Sequence, residues 1–188
     1  MVGHWEVERR FLARDDAPNQ DPVHITQIYL NLSELRIVEG FLQHQIHGEI
    51  AEFGVDSKEI ETILMKDEYA IARLRMMEGE TICGVKGKMI NGGRKEFETY
   101  TTFDPSCLGG ELAVIEKTRC LWEGGDGLIW EIDRYIRPQL DLILAEVELS
   151  HIEQAVDIPP WVIQEVTHDS TYTNSELAKL SLSAGGGI

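Results

Sequence analysis

The chain has 188 residues, 43% of them hydrophobic and 27% charged, with 33 acids against 17 bases and a formal charge of −16. That length buries a substantial core, and the acidity argues against a nucleic-acid partner, because phosphate backbones need a basic footprint. Three cysteines without CxxC spacing argue against a disulfide framework and a zinc site. No apolar run approaches the roughly 20 residues of a membrane span, and the charged opening segment is unlike a signal peptide. The expected compartment is the cytoplasm, with no membrane partner.

Residues 5–13 alternate as a strand, 17–22 (APNQDP) read as a loop, and 24–32 (HITQIYLNL) read as a second strand. The period then changes. Leu35, Val38, Leu42, Ile46, Ile50 and Phe53 recur every three or four residues, which predicts a helix after Ser33 that ends at Gly54. Gly40 and Gly48 each cost that helix about 1 kcal/mol. His44 and His47 then lie three apart on it and read as an exposed pair rather than a metal site. A second short helix is expected from 56 or 57 through Ile60 and Leu64. Strand periodicity returns at 70–77, 82–88, 95–103, 112–121, 127–135 and 142–149, separated by turn signals such as Glu78-Gly79, Asn91-Gly92 and Gly124-Gly125. Beyond them, 150–155 reads as a helix end, Pro159-Pro160 as a break, 174–182 as a short helix and 183–188 as a disordered tail. Eight strands joined mostly by short turns predict an antiparallel sheet or barrel.

Those strands carry an unusual face. Glu6, Glu8 and Arg10 stand two apart, as do Arg73 and Arg75, Lys86 and Lys88, Arg94 with Glu96 and Glu98, Lys117 and Arg119, Glu131 and Asp133, and Glu146 and Glu148. Spacing of two puts each set on one side of its pleat. One such pair alone reads as a solvated outer face. Repeated on strand after strand, with Val7, Leu74, Val85, Phe97, Ile132 and Val147 alternating between, it points the charges inward. Inward charges must be paired or bind ions. Carboxylate clusters suit hard cations such as Mg²⁺ or Mn²⁺, which makes Glu6, Glu8, Glu96, Glu98, Asp133, Glu146 and Glu148 candidate metal ligands. Clustered Arg and Lys suit phosphate oxygens, which makes Arg10, Arg73, Arg75, Lys86, Arg94, Lys117 and Arg119 candidate phosphate ligands. Together they describe a tunnel for a polyphosphate chain and its metals.

The stretches EVERRFL, QIYL, ARLR, GVKGK, RKEFE, IEKTR, WEID and LAEVEL, in that order, resemble the CYTH superfamily of triphosphate tunnel metalloenzymes, in its short bacterial form. The closing PPWVIQEVTHDSTYTNSELA is similar as well. The resemblance implies an all-β dominated (α+β) fold, an eight-stranded antiparallel β-barrel tunnel with helices packed outside, as a single domain over 1–182. It also implies Mg²⁺- or Mn²⁺-dependent hydrolysis of a small-molecule triphosphate, with inorganic tripolyphosphate favoured. Within the resemblance, Tyr29 and Lys117 are the candidate catalytic pair. Nucleoside or thiamine triphosphatase activity, adenylate cyclisation and non-catalytic polyphosphate binding are the alternatives. Two departures stand out. Arg10 replaces the Lys of the family's ExExK signature: a phosphate clamp survives that exchange, a proton donor does not. The stretch 33–68 is an insertion, expected to cover the outer wall as a helix, with a lid or a homodimer contact as the rival readings.

Overall fold

The computed structural model of the chain describes residues 3–183. The tail expected at 183–188 lies, but for the backbone of Ser183, outside the described residues. The elements in chain order are β1 (His4–Ala13), β2 (Val23–Tyr29), β3 (Leu35–Val38), β4 (Phe41–His44), β5 (Gly48–Glu52), α1 (Ser57–Lys66), β6 (Ile71–Met77), β7 (Glu80–Lys86), β8 (Gly93–Thr101), β9 (Ala113–Glu123), β10 (Ile129–Arg137), β11 (Ile143–Glu148), β12 (Val162–Glu165) and α2 (Asn174–Ser183).

Eight strands close on themselves. The order β11-β10-β9-β2-β6-β7-β8-β1 returns to β11 through the β1–β11 pairing, and every neighbour pair is antiparallel. Each of the eight strands expected from the sequence is one stave of this barrel. β12, which the sequence reading missed, extends the edge of β1 beyond the reach of β8, with Glu165 opposite Phe11.

The alternation sorts the side chains to the two sides of the wall, and the apolar set faces out. On β6, β7 and β8, Ala72, Leu74, Cys83, Val85 and Phe97 pack under Leu42, Ile50, Ala51, Phe53 and Ile60 of the 33–68 insertion. On β1, β10 and β11, Val7, Phe11, Trp130, Ile132 and Val147 pack with Leu149 and Trp161 of the C-terminal segment. Trp130 meets Trp161 edge-on, with ring centroids 5.4 Å apart. Each large apolar side chain fully buried this way contributes about 1.5–3 kcal/mol. At one end of the barrel the inward positions also turn apolar. There Leu12, Ile115 and Leu144 meet Leu177 and Ala178 of α2, which packs across that end. The other long connection, 150–155, forms no helix.

The insertion differs from its prediction. Residues 35–52 form the three-stranded antiparallel sheet β3-β4-β5, and only α1 is helical. The expected helix fails at its glycines. Glu39 and Gly40 both take positive φ, 51° and 90°, in a two-residue hairpin that places Val38 opposite Phe41. This is the same turn chemistry as Asn91-Gly92, with φ of 49° and 81°. The three-and-four spacing of the apolar residues also satisfies a sheet whose strands each bury one face: Leu42 and Ile50 are inside while Ile46 is exposed at the β4–β5 turn. His44 is consequently buried rather than exposed. It contacts Glu34 through Nε2 at 3.2 Å and accepts the Ile46 amide at Nδ1.

The sign of one substitution separates the two conformations. Gly40→Ala should destabilise the hairpin by about 1 kcal/mol or more, because an L side chain is strained at that φ. In a helix the same change stabilises by about 1 kcal/mol. Chemical denaturation of the two proteins reads the difference.

Candidate active site

Inside the barrel lies a cavity of about 660 Å³. Its wall carries Glu6, Glu8 and Arg10 from β1, Gln27 and Tyr29 from β2, Arg73 and Arg75 from β6, Lys86 from β7, and Arg94, Glu96 and Glu98 from β8. Arg119 from β9, Glu131 from β10, and Glu146 and Glu148 from β11 complete it, and Thr173, Asn174 and Ser175 at the start of α2 border it. No residue between 30 and 70 reaches the cavity wall, so the insertion is neither lid nor lining here.

The charges pair in a nearly continuous chain. Arg10 bridges Glu146 and Glu8, donating to each at 2.7 Å. Arg94 reaches Glu6 at 2.8 Å and Glu8 at 3.4 Å. Lys86 joins Glu6 at 2.7 Å to Glu96 at 2.9 Å. Arg73 lies 3.2 Å from both Glu96 and Glu98, and Arg75 lies 2.9 Å from Glu98. On the opposite wall, Arg119 holds Glu131, Asp133 at 2.6 Å and Glu146 at 3.4 Å.

The electrostatics divide the carboxylates. Burial pushes Glu6 up, but Lys86 and Arg94 outweigh it and hold the carboxyl down at about 2. Glu146 is likewise held low against burial by Arg10, Lys117 and Arg119. Glu8 goes the other way, raised by burial and by the charges of Glu146 and Glu6. Glu148 is exposed and, among the described residues, makes no ion pair. Burial pushes the Tyr29 hydroxyl up to about 12 against the pull of Arg73. Tyr29 donates to Gln27 at 3.0 Å.

Two expected site residues share the inner face with Arg119 and Glu131 but lie deeper than the cavity lining, toward the barrel end that α2 covers. Lys117 and Asp133 are both 0% exposed, and the Lys117 Nζ donates to Asp133 at 2.5 Å. Lys117 also approaches the Asn174 side-chain oxygen at 3.4 Å, and Tyr135 donates to that same oxygen at 2.8 Å. Asp133 accepts two further hydrogen bonds from Arg119. Asp133, expected as a metal ligand, is thus committed to two cations. Lys117, expected beside Tyr29, contacts Asp133, Asn174 and the face of Tyr135 instead. Burial and Arg119 push its ammonium down from the ordinary value, against Asp133 and Glu146. The other thirteen expected residues all line the cavity. Sequence reasoning passed over Gln27, legible in principle as the position two before Tyr29. It also passed over Asn174, which no periodicity marks.

The donors fit a hard divalent cation. Glu8, Glu146, Glu148 and Glu6 supply oxygen alone, and the crowding that raises Glu8 is the kind a cation relieves. Among the described residues no three His, Cys, Asp or Glu side chains already converge on one point, because Arg and Lys nitrogens hold the carboxylates.

Barrel and lining together define a charged-tunnel protein. No protein-family model matches the chain. An inorganic triphosphatase of Acetivibrio thermocellus is 30% identical over 120 residues, covering 60% of this chain and 74% of the relative. An inorganic triphosphatase of Nitrosomonas europaea is 34% identical over 113 residues, covering 56% and 73%. A crystal structure of an inorganic triphosphatase shares the fold with a TM-score of 0.53 at 24% identity, covering 92% of this chain and 93% of that one. The chain belongs to the CYTH family of triphosphate tunnel metalloenzymes.

Two stability measurements probe the network. Asp133→Asn leaves Lys117 and Arg119 undercompensated and should cost about 3–5 kcal/mol. Glu148→Gln, with no ion pair to lose, should stay within about 0.5 kcal/mol in the same denaturant titration. For Glu6 the folded pKa lies below the unfolded one. Its stabilisation is therefore complete above about 4.5 and lost as pH falls toward about 2. The stability gap between wild type and Glu6→Gln should accordingly shrink across that window.

Proposed function

We propose that this chain hydrolyses a terminal phosphoanhydride bond of a triphosphate held in the tunnel, and that its substrate is inorganic tripolyphosphate. The observation that carries the reading is the lining itself: six cationic side chains face seven carboxylates around one lumen. Among the described residues Tyr29 is the only Phe, Tyr or Trp in that lining, so the wall offers little for a nucleobase to stack on. The named activity of the two relatives supports the same substrate.

Arg73, Arg75, Arg94, Lys86 and Arg119 clamp the phosphate oxygens and stabilise charge on the transferring phosphoryl group. Guanidinium groups dominate the set, and their forked donors fix the chain's register as well as its charge. Glu8, Glu146, Glu148 and Glu6 would hold the divalent cation, Mg²⁺ or Mn²⁺. Bound there, it neutralises phosphate charge and lowers the pKa of a water. Tyr29, protonated at neutral pH, donates to Gln27 in the free tunnel and would turn that same hydroxyl to a phosphate oxygen of a bound substrate. Arg10 keeps its proton at any working pH, its acids outweighing burial to hold it above the ordinary value, so it serves as a clamp and not as an acid. Lys117 acts from below the lining, fixing Asp133 and through it Arg119.

Phosphate release from tripolyphosphate with Mg²⁺ or Mn²⁺ tests the reading. Glu8→Gln should lower kcat at least about a hundredfold, in the range of a lost electrostatic contact in phosphoryl transfer. ATP offered at the same concentration should turn over more slowly than tripolyphosphate. Equal rates for wild type and Glu8→Gln refute the assignment of the carboxylates.

A further inference from the structure

Arg10 is the most buried guanidinium of the tunnel, at 5% exposure. Its Nε donates to Glu146 and its Nη2 to Glu8, each at 2.7 Å, so one planar group spans an acid on β1 and an acid on β11. Its backbone has no room to retreat. The carbonyl accepts from the Val166 amide at 2.8 Å, the amide donates to the Thr167 hydroxyl at 3.1 Å, and on its other edge β1 pairs with β11, Arg10 opposite Glu146. Only the side chain is free to move. The two acids it bridges are also the pair best placed to take a divalent cation, with Glu148 beside them opposite Glu8.

We propose that Arg10 is a tethered counter-ion: its guanidinium neutralises the Glu8–Glu146 pair until a divalent cation displaces it into the lumen, where it binds a phosphate oxygen. This rests on the reading that the tunnel takes a triphosphate with its metal. The guanidinium occupies the Oε1 atom of each acid, and a cation that takes both Oε1 atoms competes with it directly. Metal alone therefore has to break two charge-assisted hydrogen bonds, and binds weakly. When a triphosphate is present, the displaced guanidinium finds new acceptors, and the two ligands reinforce each other through one side chain. The forked shape matters, since an ammonium is a compact point charge that does not hold two carboxylates in one plane.

The test contains no phosphate, so it stands apart from the hydrolysis reading. Mn²⁺ is titrated into the substrate-free full chain at neutral pH, with free Mn²⁺ read by electron paramagnetic resonance. Arg10→Gln should tighten Mn²⁺ binding by about tenfold, the cost of the lost competition. Arg10→Lys keeps the charge and protects against misfolding, and should tighten binding about threefold because it gives up the bridge. Arg75→Gln removes one cation from the far end of the network, where Arg75 pairs with Glu98 alone, and should stay within about twofold of wild type. Unchanged affinity in both Arg10 variants overturns the proposal. So does equal tightening in Arg75→Gln, which would make the effect one of bulk charge. Where Arg10→Gln does not fold, Arg10→Lys decides alone.

Discussion

A barrel of eight strands can carry charge on its inner face only if each charge meets its opposite, because an uncompensated buried charge costs more than the fold can spare. The rest of this molecule follows from that constraint. The chain of contacts from Glu146 through Arg10, Glu8, Arg94, Glu6, Lys86, Glu96, Arg73 and Glu98 to Arg75 neutralises the lumen wall from stave to stave. On the proposed reading, those same pairings hold cations and carboxylates in register for a triphosphate and its metal. Folding and binding thus draw on one set of side chains.

With polar groups inside, the barrel has to find its hydrophobic core elsewhere. It does so on the outer surface, under two coverings. The 33–68 insertion lies over β6, β7 and β8, and the C-terminal segment with Trp161 lies over β1, β10 and β11. α2 supplies a third apolar contact at the barrel end and brings Asn174 against Tyr135 and Lys117. The Lys117–Asp133 pair connects that helix to Arg119. A change in how α2 packs is therefore felt by a guanidinium of the cavity wall through the Lys117–Asp133 pair.

The inner face was readable because strand geometry leaves no freedom: residues two apart must share a side, so seven charged sets in sequence put thirteen acidic and basic side chains on the cavity wall. The insertion was misread because spacings of three and four are shared by a helix and by short hairpins with one buried face. The deciding signal was local, in Glu39-Gly40, whose turn preference carries more information than the apolar stripe around it. β12 was missed because VIQE at 162–165 is too short to show a period of its own and becomes a strand only against β1.

The sequence by itself determined the staves, their inward charges and the family resemblance, since alternation and turn residues act within a few residues of chain. Only the tertiary structure decided how those charges are spent. It set Arg10 across Glu8 and Glu146, buried Lys117 and Asp133 below the lining near α2, and left Glu148 exposed to the lumen. Parity along a strand says which side a residue faces. It does not say how deep the residue sits or which neighbour claims it, because both depend on strands that lie far apart in the chain and adjacent only once the barrel is closed.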